Sequence, residues 1–231
     1  WIHQLITSLV AYAMFTTLDR KTNTYLVPIW AMAYLVLGHL HRQYTNYLGY
    51  DLDFTGSQMV LTQKLYMMAY NLYDGEVLAK GKEDRASKKC QEFAVKDTPS
   101  LMEFLGYTFC FSSVLAGPAF EFSSYARACS GSLLYTPDGK PRGKIPSNAW
   151  PSLQPFLVCL LNLAIFVLLG AHFPLLDPVD PQHDLPVVLK PDFLQKPWLS
   201  RFAYTLVALF VVRQKYYFAW KSAEGATNVW Y

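Results

Sequence analysis

Charge is what this sequence has least of. Lys, Arg, Asp and Glu make up 16% of its 231 residues, where an ordinary globular domain carries roughly 25%. The shortage is concentrated: none of the four types occurs over residues 1–18, 22–41 or 145–176. Such runs argue against a soluble fold. The stretch 155–173, PFLVCLLNLAIFVLLGAHF, holds the roughly 20 apolar residues that a helix crossing a bilayer requires. Mean hydropathy is only +0.13 because long polar loops dilute these segments.

Other absences narrow the chemistry. The four cysteines, Cys90, Cys110, Cys129 and Cys159, fit neither a zinc spacing nor a secreted disulfide framework, and they read as reduced thiols. No HExxH, GxSxG, Walker or dinucleotide pattern is present, so no metal site or catalytic residue is assigned. His39 and His41 flank the end of an apolar run, His172 ends another, and His3 and His183 have no partner at a useful spacing; all five read as interfacial or structural. A net charge of +3 is too mild for nucleic acid, and no basic helix or RNA-binding motif appears. The chain opens on Trp1 with no basic n-region and cleavage site, which leaves the expectation of an internal piece of a longer protein.

What remains is six apolar segments, at about 2–18, 25–40, 56–73, 101–117, 153–172 and 199–213. None alternates with period two. A backbone exposed to lipid must satisfy its own hydrogen bonds, so the expected fold is all-α, polytopic, and a single transmembrane domain over 1–231. The loops differ in charge: 80–89 (KGKEDRASKK) and 137–144 (PDGKPRGK) are basic, while 175–192 (LLDPVDPQHDLPVVLKPD) is acidic and proline-rich. Short basic loops stay cytoplasmic. If all six segments crossed, the two basic loops would lie on opposite faces, so one crossing must be incomplete. Segment 101–117 is the candidate, because Gly117 and Pro118 break it and Glu103 sits near its start. It either enters, breaks and returns, or ends as a helix at Gly117.

Two polar stripes run along these apolar segments. In 51–75 (DLDFTGSQMVLTQKLYMMAYNLYDG), Ser57, Gln63, Lys64, Asn71 and Asp74 share one broad face of a helix, and Met59, Leu61, Leu65, Met68 and Leu72 the other. That face reads either as the polar wall of a substrate channel or as an amphipathic helix at the bilayer surface with Lys64 among the headgroups. Further on, Arg213, Tyr217, Trp220 and Glu224 recur at i, i+4, i+7 and i+11, with Lys215 pointing the other way. This second stripe is either the edge of a polar pocket or an aromatic belt with snorkelling charges.

The blocks DFTGSQMVLTQKLYMMAYNLYDG, TPSLMEFLGYTFCFSSVLAGPAFEF and KYYFAWKSAEGA, in this order, resemble the membrane-bound O-acyltransferases, and among them the lysophospholipid acyltransferases of fungal type. The resemblance spans nearly the whole chain and places it in roughly the first half of such an enzyme. It implies a multi-span helical protein of the endoplasmic reticulum membrane that moves an acyl group from acyl-coenzyme A to a lysophospholipid hydroxyl. Acyl-coenzyme A is a co-substrate, and no cofactor is implied. The family's catalytic histidine lies in a later apolar segment within a Trp-His-Gly triplet, preceded by a Trp-Asn pair. Neither pattern occurs here, so the chain is expected to be truncated before the catalytic segments and inactive alone. Its share is the chamber, with Lys64, Asn71, Asp74, Arg213, Tyr217, Trp220 and Glu224 as polar lining and Gly117 and Pro118 shaping it.

A transporter or channel, or a non-catalytic membrane scaffold, are the competing readings, since broken helices and polar stripes also build translocation paths. The lack of an internal repeat counts against the first. The charge pattern predicts that loops 74–100 and 118–150 share the cytoplasmic face and that 173–197 lies opposite. Single cysteines in each loop, treated with a membrane-impermeant maleimide on sealed microsomes, check this; labelling of the two basic loops from different sides would overturn the incomplete crossing.

Overall fold

The computed structural model describes residues 1–45, 54–81, 87–114, 117–135, 140, 147–175 and 187–230. The basic stretches 80–89 and 137–144, the acidic stretch 175–192 and His183 lie wholly or partly outside them. Among the described residues there are helices and no strands. In chain order these are α1 (Ile2–Thr17), α2 (Arg20–Thr45), α3 (Thr55–Ala79), α4 (Lys88–Phe93), α5 (Leu101–Thr108), α6 (Phe122–Cys129), α7 (Ala149–Gly170), α8 (Pro191–Leu194) and α9 (Trp198–Trp230). The chain divides into two compact units, one gathering α1 to α6 and the other α7 to α9 as far as Val229.

The first unit is built on α3. Helix α1 turns into α2 through Asp19, whose carboxylate accepts the Thr22 backbone N–H at 2.9 Å. Hydrogen bonds from the Thr22 side chain and backbone hold that carboxyl below its ordinary value. The stability of this cap is therefore complete above the ordinary carboxylate range and lost as pH falls through the lowered pKa. Asn23 closes the other side of the turn, its amide donating to the Met14 and Leu18 carbonyls at 3.1 and 3.4 Å. Against α3, α2 presents the ridge Val27, Ala31, Leu35 and Gly38, and α1 presents Gln4, Thr7, Ser8, Ala11 and Phe15. The α1–α3 seam is hydrogen-bonded as well as packed: Gln4 donates to Ser57 Oγ at 2.6 Å and Gln58 to Thr7 Oγ1 at 3.1 Å. Small and amide side chains at helix contacts are the pattern of association in lipid, where apolar burial drives little. The opposite faces are apolar and exposed, as at Ile29, Met32, Val36 and Leu37 of α2.

Segment 101–117 departs from the expected helix. Ser100 and Glu103 form a reciprocal capping box that starts α5, but the helix ends at Thr108, well before Gly117 and Pro118. A turn through 109–114 follows, residues 117–121 have no regular secondary structure, and α6 begins at Phe122. Upstream, the chain leaving α4 crosses α3, with the Val95 backbone N–H donating to the Asn71 carbonyl at 2.9 Å.

In the second unit α9 lies on α7. Pro155, inside α7, has no N–H for the Pro151 carbonyl, and the Asn228 amide takes that carbonyl at 2.8 Å. One turn further along, Cys159 Sγ and Ser222 Oγ are 2.9 Å apart. Helix α7 is the one described helix long and apolar enough to cross a membrane, with a mean hydropathy of 2.2 and 11% of that window buried.

Two glycines of α3 make opposite predictions. A Cβ on Gly75 would stand 2.0 Å from the Val95 carbonyl oxygen, whereas one on Gly56 would meet nothing within 4 Å. Gly75→Ala should cost at least about 1–3 kcal/mol through overpacking, and Gly56→Ala should be neutral or stabilise by up to about 1 kcal/mol. Thermal unfolding of the two variants in detergent checks the contrast.

Candidate functional site

The polar face of α3 meets α5 and the stretch that follows Gly117. Lys64 is fully buried there. Its ammonium donates to the Tyr107 carbonyl at 2.8 Å and to the Thr108 carbonyl at 3.4 Å, the last two residues of α5. The rings of Tyr107 and Phe120 stand over it, with centroids at 5.1 and 4.7 Å. No carboxylate among the described residues pairs with it. Withdrawing an ammonium from water costs several kcal/mol. Against this, hydrogen bonds to a charged group contribute about 1.5–3 kcal/mol each and a desolvated ring face up to about 2 kcal/mol. The negative end of a helix adds to the same side. These contributions are of the same size as the cost, so the cation is tolerated without a counter-charge.

Two turns along α3, Asn71 Nδ2 donates to Glu121 Oε2 at 2.6 Å. The Tyr107 hydroxyl donates to the Phe120 carbonyl at 2.7 Å, and its ring meets Phe122 and Tyr125 edge-on or tilted. Gly117 is buried because its α-carbon rests on Ser112 and Ser113, while Pro118 is exposed. Asp74 is half-buried and makes no hydrogen bond among the described residues. Lys64, Asn71 and Gly117 are thus gathered around one loop, held by the chain's own carbonyls and carboxylate.

The second stripe stands in the other unit. Arg213, Tyr217 and Trp220 are exposed, and the two rings meet edge-on at 5.7 Å. Glu224 accepts from Lys221 at 2.6 Å, both side chains being about two-fifths exposed, so solvent screens that pair. Ala208, Val211, Gln214 and Gly225 of α9 are buried, and on the helical wheel the stripe falls on the far side from them. Lys215 lies between Val211 and Ser222 on the packed side, its ammonium 5.1 Å from the Tyr216 ring.

Glu121, Tyr107, Thr108 and Phe120 were not singled out from the sequence. For Glu121 a signal existed: it is the one Asp, Glu, Lys or Arg between Glu103 and Arg127, and an isolated ionisable group in an apolar stretch marks a site. Thr108 contributes a main-chain carbonyl, which no residue type announces.

An all-helical chain with exposed apolar faces, a buried cation held by carbonyls and a carboxylate fixed beside a Gly-Pro turn belongs among membrane proteins with a polar interior. More closely, the chain belongs to the membrane-bound O-acyltransferase family, whose model matches residues 39–228. It is 30% identical to membrane-bound glycerophospholipid O-acyltransferase 1 of Mus musculus over 98% of this chain and 46% of the mouse protein. It is 32% identical to a lysophospholipid acyltransferase of Schizosaccharomyces pombe over 85% of this chain and 37% of the yeast protein. With lysophospholipid acyltransferase 6 of Drosophila melanogaster the identity is 30%, over 95% of this chain and 30% of the fly protein. The chain therefore spans less than half the length of each of these relatives.

The turn offers a direct check on its packing. A Cβ on Gly117 would lie 2.4 Å from the Ser112 carbonyl oxygen and 2.5 Å from the Ser113 α-carbon. Gly117→Ala should destabilise by about 1–3 kcal/mol, while Pro118→Ala, at an exposed position, should stay within about 0.5 kcal/mol. Melting temperatures of the pair, measured side by side, decide whether the glycine is held by contact.

Proposed function

We propose that the complete protein is a multi-pass enzyme of the endoplasmic reticulum membrane that transfers a fatty acyl group from acyl-coenzyme A to a lysophospholipid hydroxyl. The observation that carries this reading is the family match over 39–228 together with relatives named as lysophospholipid and glycerophospholipid O-acyltransferases. The acceptor hydroxyl is a poor nucleophile until a base removes its proton, and a positioned base contributes roughly 10²- to 10⁴-fold. The thioester is already an activated donor, so attack on its carbonyl carbon releases the coenzyme A thiolate and forms the new ester. The base is assigned to no residue of this chain. What the chain supplies is enclosure: helices with lipid-facing apolar surfaces and a polar interior that positions two amphiphilic substrates away from water.

The test is acyl transfer itself. Microsomes from a host lacking its own activity, expressing the complete protein, should consume lysophospholipid and form diacyl product only when acyl-coenzyme A is added. Residues 1–231 expressed alone should form none. Loss of lysophospholipid without added acyl-coenzyme A, or transport of an intact lipid with no new ester, would overturn the assignment.

A further inference from the structure

Resting on the acyl-transfer reading, we infer that Lys64 is a positioning residue for that reaction, its ammonium setting the path of the Gly-Pro loop by closing the carbonyl end of α5. The geometry forms a circuit. The Lys64 ammonium holds the Tyr107 and Thr108 carbonyls. From there the chain turns through Cys110, whose N–H donates to the Tyr107 carbonyl at 3.3 Å and whose carbonyl accepts from Ser113 and Val114 at 3.1 and 3.0 Å. Gly117 then rests on Ser112 and Ser113. Phe120 returns to cover the same ammonium and to accept from the Tyr107 hydroxyl, and Glu121 reaches Asn71.

The substituents of the cation explain its role. An ammonium has three protons to donate, and here they face main-chain oxygens and ring faces inside a fully enclosed site. None is directed at open space where a phosphate or a thioester could reach it. A side chain needed only for volume would be apolar, because an apolar residue of this size avoids the desolvation cost. What the cation adds is direction: it ends α5 at a fixed carbonyl pair and so fixes where Phe120 and Glu121 return to α3.

The experiment uses the full-length enzyme with Cys110 as its single cysteine, in microsomes, that protein's own rate being the reference. Cys110 is buried beside the held carbonyls, so its labelling by membrane-permeant N-ethylmaleimide reports the end of α5. Lys64→Met, Lys64→Gln and Lys64→Arg are compared at matched expression for initial rate, Cys110 labelling and melting temperature. Lys64→Met should lose about tenfold or more in rate, as small misplacements in an active site do, and label faster by about tenfold as the local structure opens. Its melting temperature should fall only modestly, since the two carbonyls lose their donor while a buried cation is gone. Lys64→Arg, which keeps a donor cation, should recover part of both rate and protection.

Across whichever variants accumulate, rate and protection must move together. A variant that loses rate while Cys110 stays protected would show the ammonium acting on substrate and overturn the inference. Full rate with Cys110 exposed would do the same, as would rate and melting temperature falling in parallel with Arg no better than Met. If the unsubstituted enzyme transfers no acyl group, the function proposed above fails, and Cys110 labelling alone still decides whether Lys64 holds α5.

Discussion

A fully buried ammonium held by two main-chain carbonyls is the constraint on which the first unit rests. Carbonyls at the end of a helix have no partner within it, and away from water an unmet acceptor is costly. Lys64 meets this need from another helix, which lets α5 stop after Thr108 and lets the chain reverse within a few residues. The same logic recurs at smaller scale. Asn23 donates to the Met14 and Leu18 carbonyls where α1 ends, and Asn228 takes the carbonyl that Pro155 frees. In each case an irregular stretch of main chain is answered by a side chain of another helix, 43 residues away for Lys64 and 77 for Asn228.

That distance explains what the sequence disclosed. Charge-free runs marked α1, α2 and α7, and apolar segments marked α3 and the first half of α9, because a long apolar segment in a helical membrane protein leaves little other choice. The expectation for 101–117 placed the break at Gly117 and Pro118, the residues that disfavour helix locally. The helix ends earlier, at Thr108, where Lys64, 43 residues before Tyr107, holds the carbonyls of its last two residues. Helical periodicity put Lys64, Asn71 and Asp74 on one face of α3, but Lys64 and Asn71 are buried together with Leu65 and Met68 of the other face while Gln63 is exposed, so periodicity could not say what either face meets. Helix α9 also continues as a regular helix from 213 to Trp230, past the end of its apolar run, because Ser222, Gly225 and Asn228 find partners on α7.

Glycine and small polar residues do in these helices what large apolar side chains do in a water-soluble core. Gly75 admits the Val95 carbonyl, Gly106 lies against the Tyr125 hydroxyl, and Gly225 approaches the Ser152 carbonyl. Gly75 and Gly225 let two backbones approach, and Gly106 admits a side-chain hydroxyl. These contacts work beside an apolar cluster that includes Phe15, Leu65, Met68, Phe104 and Tyr107, while many other bulky apolar residues face outward.

The hydrogen-bonded seam between α1 and α3 has a consequence for synthesis. Gln58 lies 51 residues after Thr7, its partner. At roughly 5–20 residues per second, α1 leaves the ribosome about 3–10 seconds before the helix that satisfies it. During that interval the Gln4 amide lacks the Ser57 hydroxyl it later donates to, while Thr7 already donates to the His3 carbonyl within α1. The seam can close only when both helices are present, so the polar flank of α1 is completed by a partner made well after it.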